Sequence, residues 1–202
     1  MEIENQNINV QSTAQTVSHK KKWKKFIIRM LALGLFFCIS IYSYNFFNLQ
    51  YSMNKVLLFD NKNKGIDVSV GYKNYIILSV IVYDLRKCSY KTKADVLRVL
   101  LQFAEKKKES NYDYVILSCQ GIRKFKITGE FFKKLGEEYR EENLLALIKT
   151  FPDNVLNLDN SPVFPKRKTV NHNSDENTII ECYDFMCKWF KNEKYPLRVY
   201  NE

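Results

Sequence analysis

The sequence predicts an α+β protein: an N-terminal single transmembrane helix followed by a small mixed sheet covered by helices. Three observations predict it. Phe26 to Phe47 is an apolar run of 22 residues holding one charge, Arg29. Beyond it, short segments of alternating or β-branched residues mark strands. Among these lie capped segments with apolar residues at helical spacing. Of 202 residues, 46% are hydrophobic and 27% charged, which excludes disorder as a description of the whole. Five cysteines are too few for a disulfide scaffold.

Residues 1–25 are predicted to be a cytoplasmic tail with a basic flank. Met1 to Ser18 is rich in Asn, Gln, Ser and Thr and buries too little to offset chain entropy. Lys20, Lys21, Lys22, Lys24 and Lys25 then abut the apolar run, with Arg29 just inside it. Residues 26–47 form the transmembrane helix, about 33 Å long at 1.5 Å per residue, enough for a hydrocarbon core of about 30 Å. Bulky residues (Ile41-Tyr42-Ser43-Tyr44) stand where a cleavage site needs small ones, so the anchor is read as uncleaved. The excess of lysine before the span places the N-terminus in the cytoplasm and the C-terminal domain outside, in the periplasm if the cell is Gram-negative. Beside a spanning helix, the lysine cluster reads as an electrostatic anchor rather than a nucleic-acid patch.

Residues 48–54 are predicted to be a linker and 55–202 an extracytoplasmic α+β domain. Lys55–Phe59 reads as a short strand or more linker, and Asp60–Gly65 as a turn. Ile66–Gly71 and Tyr75–Tyr83 form a hairpin. Thr92 and Asp95 make a capping box for a helix carrying Leu97, Leu100, Leu101 and Ala104 on one face. Tyr112–Ser118 is a central strand, and Cys119-Gln-Gly121 turns it into Ile122–Ile127. Thr128 caps a helix with Phe131, Phe132, Leu135 and Tyr139 at helical spacing. Leu144–Thr150 is a short helix stopped by Pro152, and 153–173 is a loop. Ser174 or Asp175 opens a last helix with Ile179, Ile180, Tyr183, Met186, Trp189 and Phe190 inward.

The pattern Phe125-x-Ile127-x-Gly129-x-x-Phe132-x-x-Leu135-Gly136-x-x-Tyr139, continuing to Asn143 and Thr150-Phe-Pro152, resembles one in a family of uncharacterised bacterial exported or membrane-anchored proteins. It covers about a fifth of the chain. The resemblance implies a bacterial envelope protein and transfers no functional residue.

Candidate chemistry is sparse. Cys119 ends a central strand and His172 sits in a long loop, which suggests a cysteine nucleophile and its base. Against this, Cys119 leads into a strand rather than the helix of a nucleophile elbow, and cysteine is commonly buried. Cys182 and Cys187, five apart on a helix, face different ways, and no metal site is expected. Isolated glycines form no phosphate loop, and no cofactor is expected. Arg123, Lys124, Lys126, Lys166, Arg167 and Lys168 are a candidate basic surface; ordinary surface lysine is the plainer reading. Beyond residue 47 the balance is 26 Lys/Arg against 20 Asp/Glu.

In an oxidising compartment, Cys88, Cys119, Cys182 and Cys187 form an even set. A single Cys88–Cys119 bridge is preferred, with two connectivities to the last helix, or four reduced thiols, left open. The expected partners are the lipid bilayer and another envelope protein, with no nucleic acid. The function expected is a non-catalytic, membrane-anchored interaction module; a cell-envelope cysteine hydrolase is the alternative.

Overall fold

The computed structural model of the chain describes residues 2–89, 92–164 and 174–190. These form two units, Met1–Ser43 and Tyr44–Glu202. Helix α1 (Glu2–Asn45) runs through the first. From Trp23 onward its apolar side chains are bare: Leu31, Phe36 and Phe37 are each about two-thirds exposed. Trp23–Phe59 is the one helical stretch among the described residues long and apolar enough to cross a membrane.

The second unit starts earlier than the sequence predicts. Asn45 is buried, a π-helical turn follows (Phe46–Gln50), and α2 (Tyr51–Phe59) continues it. The expected linker 48–54 is therefore helical, with Leu49 and Met53 fully buried. The expected strand at Lys55–Phe59 is helical too. Leu49, Met53 and Val56 recur at helical spacing and point into the core, a period masked by the continuous apolar run Val56–Phe59.

The hairpin forms as expected, β1 (Ile66–Lys73) antiparallel to β2 (Ile77–Cys88). Strand β3 (Tyr114–Cys119) lies parallel to β2, which requires a crossover, and α3 (Lys93–Lys107) supplies it. The Thr92 hydroxyl accepts from the Asp95 N–H, and the Asp95 carboxylate from the Thr92 N–H, so the capping box is present. A two-residue turn joins β3 to β4 (Ile122–Thr128). Gln120 and Gly121 both have positive φ there, the conformation that suits a tight hairpin. Thr128 then caps α4 (Gly129–Glu138).

Two more short helices, α5 (Leu144–Ile148) and α6 (Phe151–Asn154), lead to β5 (Val155–Asn157), which pairs with β4. Pro152 does not stop a helix here. It sits in the first turn of α6, where its missing N–H breaks no helical bond. The sheet order is β1-β2-β3-β4-β5. Strand β5 falls in the expected loop; at three residues it is too short to show alternation.

Register lines up Val70, Tyr83, Leu117 and Phe125 across one face, all buried. The helices cover that face: Tyr83 meets Phe103 of α3 at 6.2 Å and Trp189 of α7 (Ser174–Phe190) at 5.9 Å between ring centroids. Where the β3–β4 register slips, between Leu117 and Ser118, the Trp189 indole donates to the Ser118 carbonyl at 3.0 Å. On α7 the buried stripe is Cys182, Phe185 and Trp189, while Ile179, Ile180 and Tyr183, expected inward, are exposed. Two apolar stripes overlap on this helix, and the one with the larger rings wins the core. Helices α3 and α4 touch at Gly136, where a methyl group would sit 2.3 Å from the Ala104 carbonyl oxygen.

Candidate functional site

Three of the five thiols are packed. All five cysteines are free, and Cys88, Cys119 and Cys182 are buried. The Cys119 thiol donates to the Phe190 carbonyl at 3.7 Å. Burial pushes it up to about 11, with Lys124 pulling only weakly the other way. Cys182 donates to the Ile148 carbonyl at 3.4 Å, and burial pushes it up to about 12. A nucleophilic cysteine needs the reverse, a partly exposed thiol of lowered pKa. His172 lies outside the described residues, so no Cys119–His172 pair is placed.

The preferred Cys88–Cys119 bridge is not formed. Cys119 stands level with Leu85, three residues before Cys88. That offset is about 10 Å along a strand, beyond the roughly 7 Å a disulfide spans.

The candidate basic residues that the structure describes stand in different surroundings. Lys24, Lys25 and Arg29 are exposed on α1, where Lys20, Lys21 and Lys22 precede them. Arg123 is exposed and donates to the Asn74 side chain at 3.4 Å. Lys126 is buried instead of on the surface. Its ammonium donates to the Leu158 carbonyl at 2.9 Å and lies over the Tyr114 ring. It ties β4 to the turn after β5. Lys166, Arg167 and Lys168 lie outside the described residues.

A buried polar network joins α3 to the turn after α2. Arg98 donates to the Asp95 carboxylate at 2.7 Å and to the Lys62 carbonyl at 3.0 Å, while Gln102 donates to Asp60 at 2.9 Å. Burial alone would raise Asp60. The Gln102 bond, the Lys62 N–H and the Arg98 charge outweigh it and hold the carboxyl below its ordinary value. Asp95 is lowered in the same way by Thr92 and Arg98 against burial. Arg98 Nε makes no hydrogen bond and stands 3.8 Å from the Asp60 carboxylate, an ion pair that, with the bonds above, ties the elements together.

A groove of about 900 Å³ runs between α4 and the α5–α6 segment. Lys133, Lys134 and Lys149 face Glu130, Glu137 and Asp153 there. Two of its hydroxyls serve the backbone: Thr128 caps α4, and Thr150 donates to the Leu147 carbonyl at 2.6 Å. Charges of both signs leave no field for a single ligand class. Among the described residues no group of three or more His, Cys, Asp and Glu side chains could hold a metal ion.

Two features that sequence reasoning missed stand out at the edge of the sheet. Among the described residues strand β1 has no neighbouring strand on its outer side, and two side-chain amides take that place. The Gln50 carbonyl oxygen accepts from the Val70 N–H at 2.8 Å, and its NH2 donates to the Val68 carbonyl at 3.2 Å. The Asn45 oxygen accepts from the Tyr72 N–H at 2.9 Å, and its NH2 donates to the Tyr75 carbonyl at 2.8 Å. Alternate strand residues lie about 6.8 Å apart, close to the rise between helix residues five apart. The π-helical turn, with its i→i+5 pattern, brings those two residues onto one side. Two carboxamides five apart in an apolar stretch were the available signal.

The second feature is the β1–β2 tip. Tyr75, Ile76, Ile77 and Leu78 are consecutive and exposed, at 58, 65, 37 and 47%. Asn74 and Tyr75 both have positive φ, an unusual conformation for a tyrosine. Tyr44 stacks on Tyr72 beside them, with ring centroids 6.0 Å apart.

Comparison of the chain with protein-family models, curated proteins and solved structures finds no match. It adds no residue role to the resemblance between Phe125 and Pro152.

Proposed function

We propose that this chain is a single-pass membrane protein whose C-terminal unit is a non-catalytic interaction domain held at the bilayer surface. The observation that carries the reading is the bare helix. From Trp23 to Phe37, large apolar side chains are exposed on all sides, which water penalises and an acyl-chain environment does not. The most apolar 18-residue window of the helix is 0% buried, as that of a core helix would not be.

The orientation proposed is N-terminus in the cytoplasm and domain outside, of bacterial-envelope type, following the lysines at 20–25. The partner proposed, besides lipid, is another envelope protein. The packed thiols of Cys119 and Cys182, the interior Arg98–Asp95–Asp60 network and the mixed charges in the α4 groove support binding over catalysis. Reporter fusions after Glu202 test the orientation. A fusion active only outside the cytoplasm is expected; one active only inside would overturn it.

A further inference from the structure

We infer that the β1–β2 tip, Tyr75–Leu78, inserts into the interfacial layer of the same bilayer, with lipid as its occupant at the boundary of headgroups and acyl chains. The inference rests on the membrane reading above. Four consecutive large apolar residues held in water are a liability in a soluble domain and a common mark of a docking element.

Placement selects lipid as the occupant. The Asn45 carboxamide holds the Tyr75 carbonyl and the Tyr72 N–H, and Tyr44 stacks on Tyr72. Tyr44 and Asn45 stand within two or three residues of Phe47, the end of the apolar run, so the tip is fastened to the last turn of that run. Two residues span at most about 7 Å of extended chain. The tip therefore sits where the chain leaves the hydrocarbon.

Its chemistry fits that depth. A tyrosine followed by three aliphatic residues suits a layer where ring and hydroxyl face different surroundings. Lys73 adjoins the tip and Arg123 is bonded to Asn74, which brings positive charge to anionic headgroups. The left-handed backbone at Asn74 and Tyr75 is strained for the latter, and such strain gathers where a side chain must be presented.

The test uses the full chain in liposomes of neutral and anionic phospholipid carrying bromine near the carboxyl end of the acyl chains. Three variants, Ile76→Trp, Leu145→Trp and Phe36→Trp, replace exposed residues, with the unsubstituted chain correcting for Trp23 and Trp189. Bromine should quench the tryptophan at 76 at least twofold more than the one at 145. Equal quenching at 76 and 145, with strong quenching at 36, would overturn the tip and leave the anchor standing. Blue-shifted but unquenched emission at 76 would mean a protein covers the tip, a second copy included, and would overturn lipid as its occupant. No quenching at any of the three would overturn the membrane reading and the tip with it.

Discussion

The Asn45 side chain accepts the backbone N–H of Tyr72 at 2.9 Å, across 27 residues of chain. With Gln50 it closes the outer edge of β1, so the sheet ends against a helix and not against water. Open edges invite pairing with other chains, and covering them with side-chain amides removes that hazard.

Replacing Gln50 with alanine should destabilise the folded unit by about 1–3 kcal/mol, since it leaves the Val70 N–H without its partner. Gln50→Glu keeps the acceptor and loses the donor to Val68, so a smaller loss is expected. Thermal unfolding of the detergent-solubilised chain measures both. Equal stability of all three proteins would show that the edge does not need these bonds.

Gly136→Ala should cost about 1–3 kcal/mol despite the better helix propensity of alanine, because overpacking forces α3 and α4 apart at Ala104. A rise in melting temperature would refute the close approach.

The Tyr83 hydroxyl is fully buried with no hydrogen-bond partner among the described residues, and burial raises its pKa strongly. Tyr83→Phe should be neutral or stabilise by about 1 kcal/mol, since it removes an unpaired polar atom and keeps the ring against Phe103 and Trp189. A clear loss of stability would reveal a partner for the hydroxyl.

Asp60 and Asp95 both titrate below the ordinary 3.8 in the folded protein. The stability they contribute is present above the unfolded value and is lost as pH falls below 3.8 through the folded one. Denaturation midpoints should therefore fall on acidification through that window, and Asp60→Asn should flatten the fall. An unchanged acid limb in the variant would exclude Asp60 from the network's electrostatics.

The second unit was legible in the sequence wherever local signals agreed. The Thr92–Asp95 capping box, the Cys119–Gly121 turn and the Thr128 cap each rest on residues within four positions of one another, and each is found. What failed needed long-range information. Val56–Phe59 is apolar at every position, so strand and helix look alike until Met53 and Leu49 meet the sheet. On α7, the choice between the Ile179–Tyr183 stripe and the Phe185–Trp189 stripe depends on Tyr83, a hundred residues away. Cys88 and Cys119 lie near adjacent strand ends in sequence terms, but only the register shows the three-residue offset. The edge amides were hidden because Asn45 belongs to the apolar run and Gln50 to the expected linker.

Extraction of the membrane fraction with alkaline carbonate, followed by the intact mass of the protein recovered, tests the anchor most directly. The chain should stay in the pellet, need detergent for release and keep the mass of all its residues through the Phe26–Phe47 run. Release by carbonate alone, or a recovered chain that begins after Phe47, would contradict the anchor.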